Sequence, residues 1–231
     1  MDERAKSLEI IYEDNHLIVV NKKVSQIVQG DKTKDISLDL MLKQYIKERD
    51  KKPGEVFLGV PHRLDRPVSG AVVFAKTGKA LARMNELFKS GEIDKTYFAI
   101  VKNAPPEEHD VLTHYITRNE EKNKSYAQTK ASPNSKKAVL EYTLVGKSDT
   151  YFLLKIKLYT GRHHQIRSQL AAIACPVKGD LKYGAERSNP DKSISLHARS
   201  ISFVHPVKKT LMEFIAPVPQ DSLWQYFESK M

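Results

Sequence analysis

Cysteine is almost absent: Cys175 is the only one in 231 residues. A lone cysteine excludes a disulfide scaffold and reads as a small buried core residue. Long apolar runs are missing as well. The longest, such as Leu17–Val20 and Ala71–Ala75, are strand-length, far from the ~18 residues of a membrane helix. The opening Met-Asp-Glu-Arg-Ala-Lys-Ser has no apolar stretch behind it, so no secretory signal is expected. With a single cysteine, that points to a reducing cytoplasm. Glycine is scattered: no two of the ten are spaced two apart, so there is no G-x-G-x-x-G, and no P-loop either. Kinase and nucleotide-hydrolase motifs are thereby excluded. Acidic residues are in short supply, 28 against 38 Lys plus Arg, which leaves a net charge of +10. Such a surplus favours polyanions, either nucleic acid or an anionic membrane surface.

The charge is unevenly placed. Tyr151–Lys192 carries eight basic and three acidic residues, half of the excess in under a fifth of the chain, interleaved with Tyr151, Phe152, Tyr159 and Tyr183. Cations for phosphates and rings for bases are what single-stranded nucleic acid binding uses. At about 150 residues per domain, the length allows one large domain or two small ones. Along the chain, strand-like runs at Leu8–Tyr12 and Leu17–Val20 flank the turn residues Asp14-Asn15. Leu38, Met41, Leu42, Tyr45 and Ile46 fall on one face of a helix starting near Ser37. Val56–Val60 and Ala71–Ala75 read as short strands around the polar Pro61–Gly70. A second helix is expected over Lys79–Lys89, capped by Thr77 and stopped by Gly91. From Ile93 the pattern turns to strands at Thr96–Val101, Val111–Ile116, Ala138–Val145 and Tyr151–Leu158, with Asn119–Lys137 as a hairpin or loop. A helix over His164–Ala174, strands at Ser195–Val204 and Leu211–Ile215, and a short helix at Leu223–Phe227 complete the chain. With no repeat and no Gly/Ser linker, the expectation is one α+β domain with a largely antiparallel sheet.

Three polar constellations stand out. In Pro61-His62-Arg63-Leu64-Asp65-Arg66-Pro67-Val68-Ser69-Gly70, Asp65 is bracketed by Arg63 and Arg66. Nearby cations favour an ionised carboxylate, usable as a nucleophile; the alternative is a surface salt-bridge loop. An intervening Leu separates the segment from the His-Arg-Asp of a kinase loop. In Thr160-Gly161-Arg162-His163-His164-Gln165-Ile166-Arg167, a glycine turn opens a helix whose dipole joins Arg162 and Arg167 as an anion site. Adjacent His163 and His164 point in different directions, so no i,i+4 metal pair is expected. In Ile93–Val101, Lys95 and Tyr97 share one strand face and Phe98 takes the other. Tyr97 is either a base-stacking or proton-accepting group, or an ordinary half-buried tyrosine.

Taken in order, these pieces resemble the RluA-type RNA pseudouridine synthases. The resemblance rests on Tyr12–Lys22, on His62–Gly70 with Ala75-Lys76, and on Lys95-Thr96-Tyr97. It continues through Thr160–Arg167, Pro176–Asp180 with Tyr183-Gly184, Leu196-His197-Ala198 and Phe203–Pro206, covering about Leu8 to Pro219. It departs at Lys23-Val24, where the family usually has a proline, at Val68, usually threonine, and at Gln169, frequently histidine. Many relatives carry an N-terminal S4-type RNA-binding domain; here the catalytic-type sequence begins by Leu8, so one catalytic domain over residues 1–231 without that module is expected.

The resemblance implies a mixed, largely antiparallel sheet core flanked by helices and loops, with the site in a cleft across the sheet. It implies isomerisation of uridines in structured ribosomal or transfer RNA, without cofactor or metal, by a chain expected to be a monomer. Asp65 is then the nucleophile or base, Arg167 the cation that pairs with it, and Tyr97 the residue that stacks on the base and removes the C5 proton. Ile166 and Leu196 are implied apolar contacts of the uracil. His62, Arg63, Arg66, Arg162 and His163 are expected to hold the flipped-out strand. A non-catalytic RNA-binding protein on the same scaffold, and a nucleoside or glycoside hydrolase, are the alternative readings. The hydrolase lacks a second carboxylate motif.

Overall fold

The computed structural model describes residues 8–30 and 35–231. They form ten strands, four α-helices and one 3-10 turn. The chain divides into two compact units. One holds the described residues up to Ile93 together with Arg199–Pro217; the other holds Asp94–Ala198 and Val218–Met231.

In the first unit, β1 (Ile10–Glu13), β2 (Leu17–Lys22) and β3 (Ser69–Ala75) pair antiparallel. Asp14 closes the β1–β2 turn: its Oδ1 accepts the His16 and Leu17 N–H groups, each at 2.8 Å. The apolar run in β2 is unbroken because both faces are covered. Leu17 and Val19 pack with α2 (Gly78–Ser90), while Ile18 and Val20 pack with α1 (Leu38–Arg49). Period-two alternation puts each pair on its own face. Helix α2 begins where Thr77 Oγ1 accepts the Ala80 N–H at 3.1 Å and stops at left-handed Gly91, as its sequence predicts. A hairpin of β10 (Leu211–Ile215) against the outer part of β9 (Leu196–Val204) adds Ile201, Phe203 and Phe214 to the α2-side core.

Val56–Val60, expected as a strand, is not one: it makes a single bridge, Gly59 to Ala75. Val56 and Leu58 are buried against α1's core, so the apolar alternation there reports burial rather than pairing.

The second unit is an antiparallel sheet in the order β4 (Asp94–Val101), β8 (Phe152–Leu158), β7 (Lys136–Lys147), β5 (His109–Asn119), β6 (Lys124–Gln128). Asn119–Lys137 thus contains the β5–β6 turn, all of β6 and the start of β7. Between Leu144 and Gly146 the register shifts. Phe98, Ile100 and Leu153 pack with Val218 and with Trp224 and Phe227 of α4 (Ser222–Glu228). On another face Leu112, Ile116, Ala138 and Leu140 are buried, and there Gln169 of α3 (Gln165–Ala172) donates to the Leu112 carbonyl at 3.1 Å. Cys175 is buried, as expected for a core thiol. Among the described residues no helix is long and apolar enough to cross a membrane.

Candidate functional site

The Asp65 loop lies in the first unit. Asp65 is half-buried, and its carbonyl accepts the Val68 N–H at 3.1 Å, closing the Arg66-Pro67 turn just before β3. Gly70 opposes Lys22 across β2–β3 with φ of 117°, a left-handed conformation that costs glycine nothing. Lys22 shares its strand face with Val20, on the α1 side, and is fully buried. Its Nζ donates to the Lys23 carbonyl at 3.0 Å and to the Arg66 carbonyl at 3.2 Å. Burial drives the Lys22 pKa down to about 7; the Asp65 carboxylate opposes that fall and Arg66 adds to it.

The two arginines that flank Asp65 in sequence differ in surroundings. Arg66 Nη1 meets Asp35 Oδ2 at 2.6 Å, and Arg63 is exposed. The charge of Asp65 bears on the buried Lys22. His62 is turned to the sheet: its Nε2 accepts the Val73 N–H at 3.0 Å, and its ring lies 4.7 Å from that of Phe88. An imidazole accepting at Nε2 is neutral, with its proton on Nδ1.

In the second unit, Tyr97 lies directly opposite Ile156 and therefore shares its face of the sheet. Lys95, two residues earlier, lies on that face too. A Cβ on Gly161 would stand 3.9 Å from the Lys95 Nζ, which places the ammonium at the start of the α3 segment. Burial pushes the Lys95 pKa down, against Asp94. The chain turns into α3 at His164, with φ of 51°. Gln165 fixes that turn: its Oε1 accepts from Thr160 Oγ1 at 2.8 Å and from the Arg162 N–H at 3.0 Å. The left-handed step folds His164 back onto His163, so the two rings stack at 3.8 Å instead of diverging as adjacency suggests. His163 Nδ1 bonds Ser125 Oγ at 2.8 Å, and His164 Nδ1 bonds the Tyr183 hydroxyl at 2.9 Å.

Arg167 lies one helical step further and is almost wholly buried, its side chain 6% exposed. Its Nε donates to Asp180 Oδ2 at 2.6 Å and its Nη2 to Asp180 Oδ1 at 2.9 Å. The guanidinium carbon stands 5.0 Å from the centre of the Tyr183 ring. Ile166 and Leu196 are both buried. Arg162 is exposed, and its Nε donates to the Lys137 carbonyl at 3.1 Å. Gln169 is a buried structural amide whose Nε2 addresses the Leu112 carbonyl and His114 Nδ1, each at 3.1 Å. Among the described residues, no three His, Cys, Asp or Glu side chains are grouped as metal ligands.

The first unit thus gathers Asp65, Arg66 and Lys22, and the second gathers Arg167 and His163, with Tyr97 on strand β4. Lys22, Asp180 and Tyr183 are the residues that inspection of sequence passes over. Each occurs inside a quoted motif, yet a lysine reads as surface and an aspartate in a basic stretch reads only as lost charge.

Residues 16–172 match the family of RNA pseudouridylate synthases. The chain is 31% identical over 231 residues to the ribosomal large subunit pseudouridine synthase D of Xylella fastidiosa, which covers 93% of this chain and 67% of the relative. It is 31% identical over 237 residues to the tRNA pseudouridine synthase C of Vibrio parahaemolyticus, covering 94% and 92% of the two chains. The solved structure of human RNA pseudouridylate synthase domain containing 4 superposes with a TM-score of 0.82 at 22% identity, over 98% of this chain and 94% of that one. That last likeness establishes the fold.

Proposed function

Because the chain belongs to the RNA pseudouridylate synthase family, we propose that it isomerises uridines in ribosomal or transfer RNA, with Asp65 as the nucleophile or base. The reaction breaks the uridine N1–C1′ bond, joins C5 to C1′, and moves the C5 proton so that N1 ends protonated. Atoms balance within one nucleotide, so no co-reactant is required. Asp65 acts beside the sugar; Tyr97 stacks on the base and takes the C5 proton; Arg167 is the cation that keeps Asp65 ionised. Ile166 and Leu196 offer apolar contact to the uracil. Arg63, Arg66, Arg162, His62 and His163 hold the strand whose target base has left its stack. Both units serve one catalytic domain, working as a monomer in the cytoplasm.

The observation that carries this reading is the environment of Asp65: a half-buried carboxylate in the family's motif, with the buried Lys22 cation close enough to feel its charge. The relatives' names, one ribosomal and one transfer RNA synthase, support the two substrate classes.

The test is an Asp65→Asn variant on total RNA from cells lacking this protein, with pseudouridine mapped site by site. Wild type is expected to restore specific sites. D65N is expected to lose at least about 10²–10⁴ in rate, the worth of a positioned acid–base group, while still binding RNA. Full activity in D65N sinks the assignment. RNA binding without pseudouridine in wild type favours the binding-only reading, and release of free uracil favours a hydrolase.

A further inference from the structure

We propose that Asp180 is a positioning residue for this reaction, acting only through Arg167, whose guanidinium it seats with the help of Tyr183. The inference rests on the reading above, in which Arg167 keeps Asp65 ionised.

A guanidinium this deeply buried needs a partner that fixes more than its charge. Asp180 takes Nε and Nη2 side-on, with its own side chain 1% exposed. Two parallel bonds from a rigid fork define the plane of the group, which one bond does not. Tyr183 lies under that plane as a cation–π floor, and its hydroxyl is itself pinned, accepting the Ser125 N–H at 2.8 Å and bonding His164 Nδ1. The carboxylate is placed independently of α3. The Asp180 carbonyl accepts the Tyr183 and Ala185 N–H groups, each at 3.0 Å, and the Asp180 N–H donates to the Val177 carbonyl at 3.0 Å. Gly179, with φ of 88°, has no room for a side chain: a Cβ would meet the Ser193 carbonyl oxygen at 2.7 Å. The loop is therefore tied to a second backbone segment before it reaches the arginine.

Stability alone does not account for this arrangement. Helix α3 is anchored by the Gln165 and Gln169 amides and by buried Ile166 and Leu170. A buried ion pair is often no more stabilising than an apolar replacement. What the pair supplies is orientation. It commits two of the five guanidinium N–H groups to Asp180 and directs the other three, on Nη1 and the far side of Nη2, away from it. Buried and seated by Asp180, Arg167 contributes to the chemistry and not to the hold on RNA phosphates.

The experiment uses the full chain and an RNA transcript that wild type modifies. Asp180→Asn is expected to lower the single-turnover rate about 10²-fold, the scale of a displacement of about 1 Å. RNA affinity and its salt dependence are expected to stay within twofold of wild type. In an Arg167→Lys background, D180N is expected to cost less than about threefold, because residues acting as a unit are non-additive. A wild-type rate in D180N, the same cost with and without Arg167, or a rate loss that matches a loss of folded protein each overturns the inference. If D180N does not fold, Asp180→Glu decides: it keeps the charge but shifts it outward. A reduced rate with a near-wild-type melting midpoint supports the seat, and a wild-type rate refutes it. Wild type forming no pseudouridine on any RNA brings down the underlying reading and the inference with it. An active wild type beside an equally active D180N brings down the inference alone.

Discussion

Replacing Lys22 with methionine probes a cation held out of water beside Asp65. An ordinary lysine titrates near 10.5, and burial brings Lys22 down to about 7. Between those values the unfolded chain binds a proton that the folded chain does not, so stability rises with pH across the window. At about 1.4 kcal/mol per pH unit, the whole window is worth about 5 kcal/mol. Most of the accessible part lies just above neutrality: from pH 7.0 to 8.5 the folded group is already losing its proton, and linkage gives a gain of about 1.5 kcal/mol. Urea unfolding of wild type and K22M at these two pH values measures it. The slope is the readout, because the hydrogen bonds lost to the Lys23 and Arg66 carbonyls lower K22M alike at both. Wild type is expected to gain about 1.5 kcal/mol more than K22M over that interval. Equal gains in the two proteins refute the claim that Lys22 is buried with a depressed pKa.

Three further outcomes are expected. Burial pushes Asp14 up, but the N–H groups of Leu17 and His16, with Lys208 and Tyr12, outweigh it and hold the carboxyl well below its ordinary 3.8; this stability is present above 3.8 and lost as pH falls through the folded value. Wild type should therefore lose more stability than Asp14→Asn between pH 5 and pH 3, and parallel losses in urea unfolding contradict this. Gly179→Ala should destabilise by about 1–3 kcal/mol through strain and clash, clearly more than Gly91→Ala, whose φ is also positive but which opens on empty space; equal costs in thermal unfolding remove the steric argument. RNA affinity should fall at least about tenfold between about 50 and 200 mM salt, since Lys and Arg meet phosphates; a flat titration contradicts a basic RNA-binding surface.

Local rules carried much of the fold. Thr77 and Gly91 bound α2 through contacts within a few residues, so sequence alone suffices to place them. Strands β7 and β8 announce themselves by alternation: Ala138, Leu140 and Tyr142 are buried between partly exposed neighbours, and Leu154, Ile156 and Leu158 between or beside the exposed Lys155 and Lys157. What escapes is non-local. Nothing in the composition marks two units, for no linker separates them and the second boundary falls within β9. The carboxylate of the proposed site is legible from its motif, but its charge environment is not. Arg66, next to Asp65 in sequence, also reaches Asp35, and Lys22, 43 positions upstream, is a buried amine that feels the charge of Asp65. Asp180 and Arg167 are separated by 13 residues, and only the fold of the intervening chain reveals them as a pair.

The amide of Gln169 bears on the state of a buried histidine. It donates from one nitrogen to the Leu112 carbonyl and to His114 Nδ1, so His114 serves as an acceptor, and burial lowers its pKa, which keeps it neutral. A histidine at position 169 has only one N–H when neutral, so it could serve the Leu112 carbonyl and His114 together only if His114 took the other tautomer and donated from Nδ1. The residue at 169 therefore sets the tautomer of His114. A Gln169→His change is expected to turn His114 from an acceptor into a donor, which the nitrogen NMR shifts of that ring report.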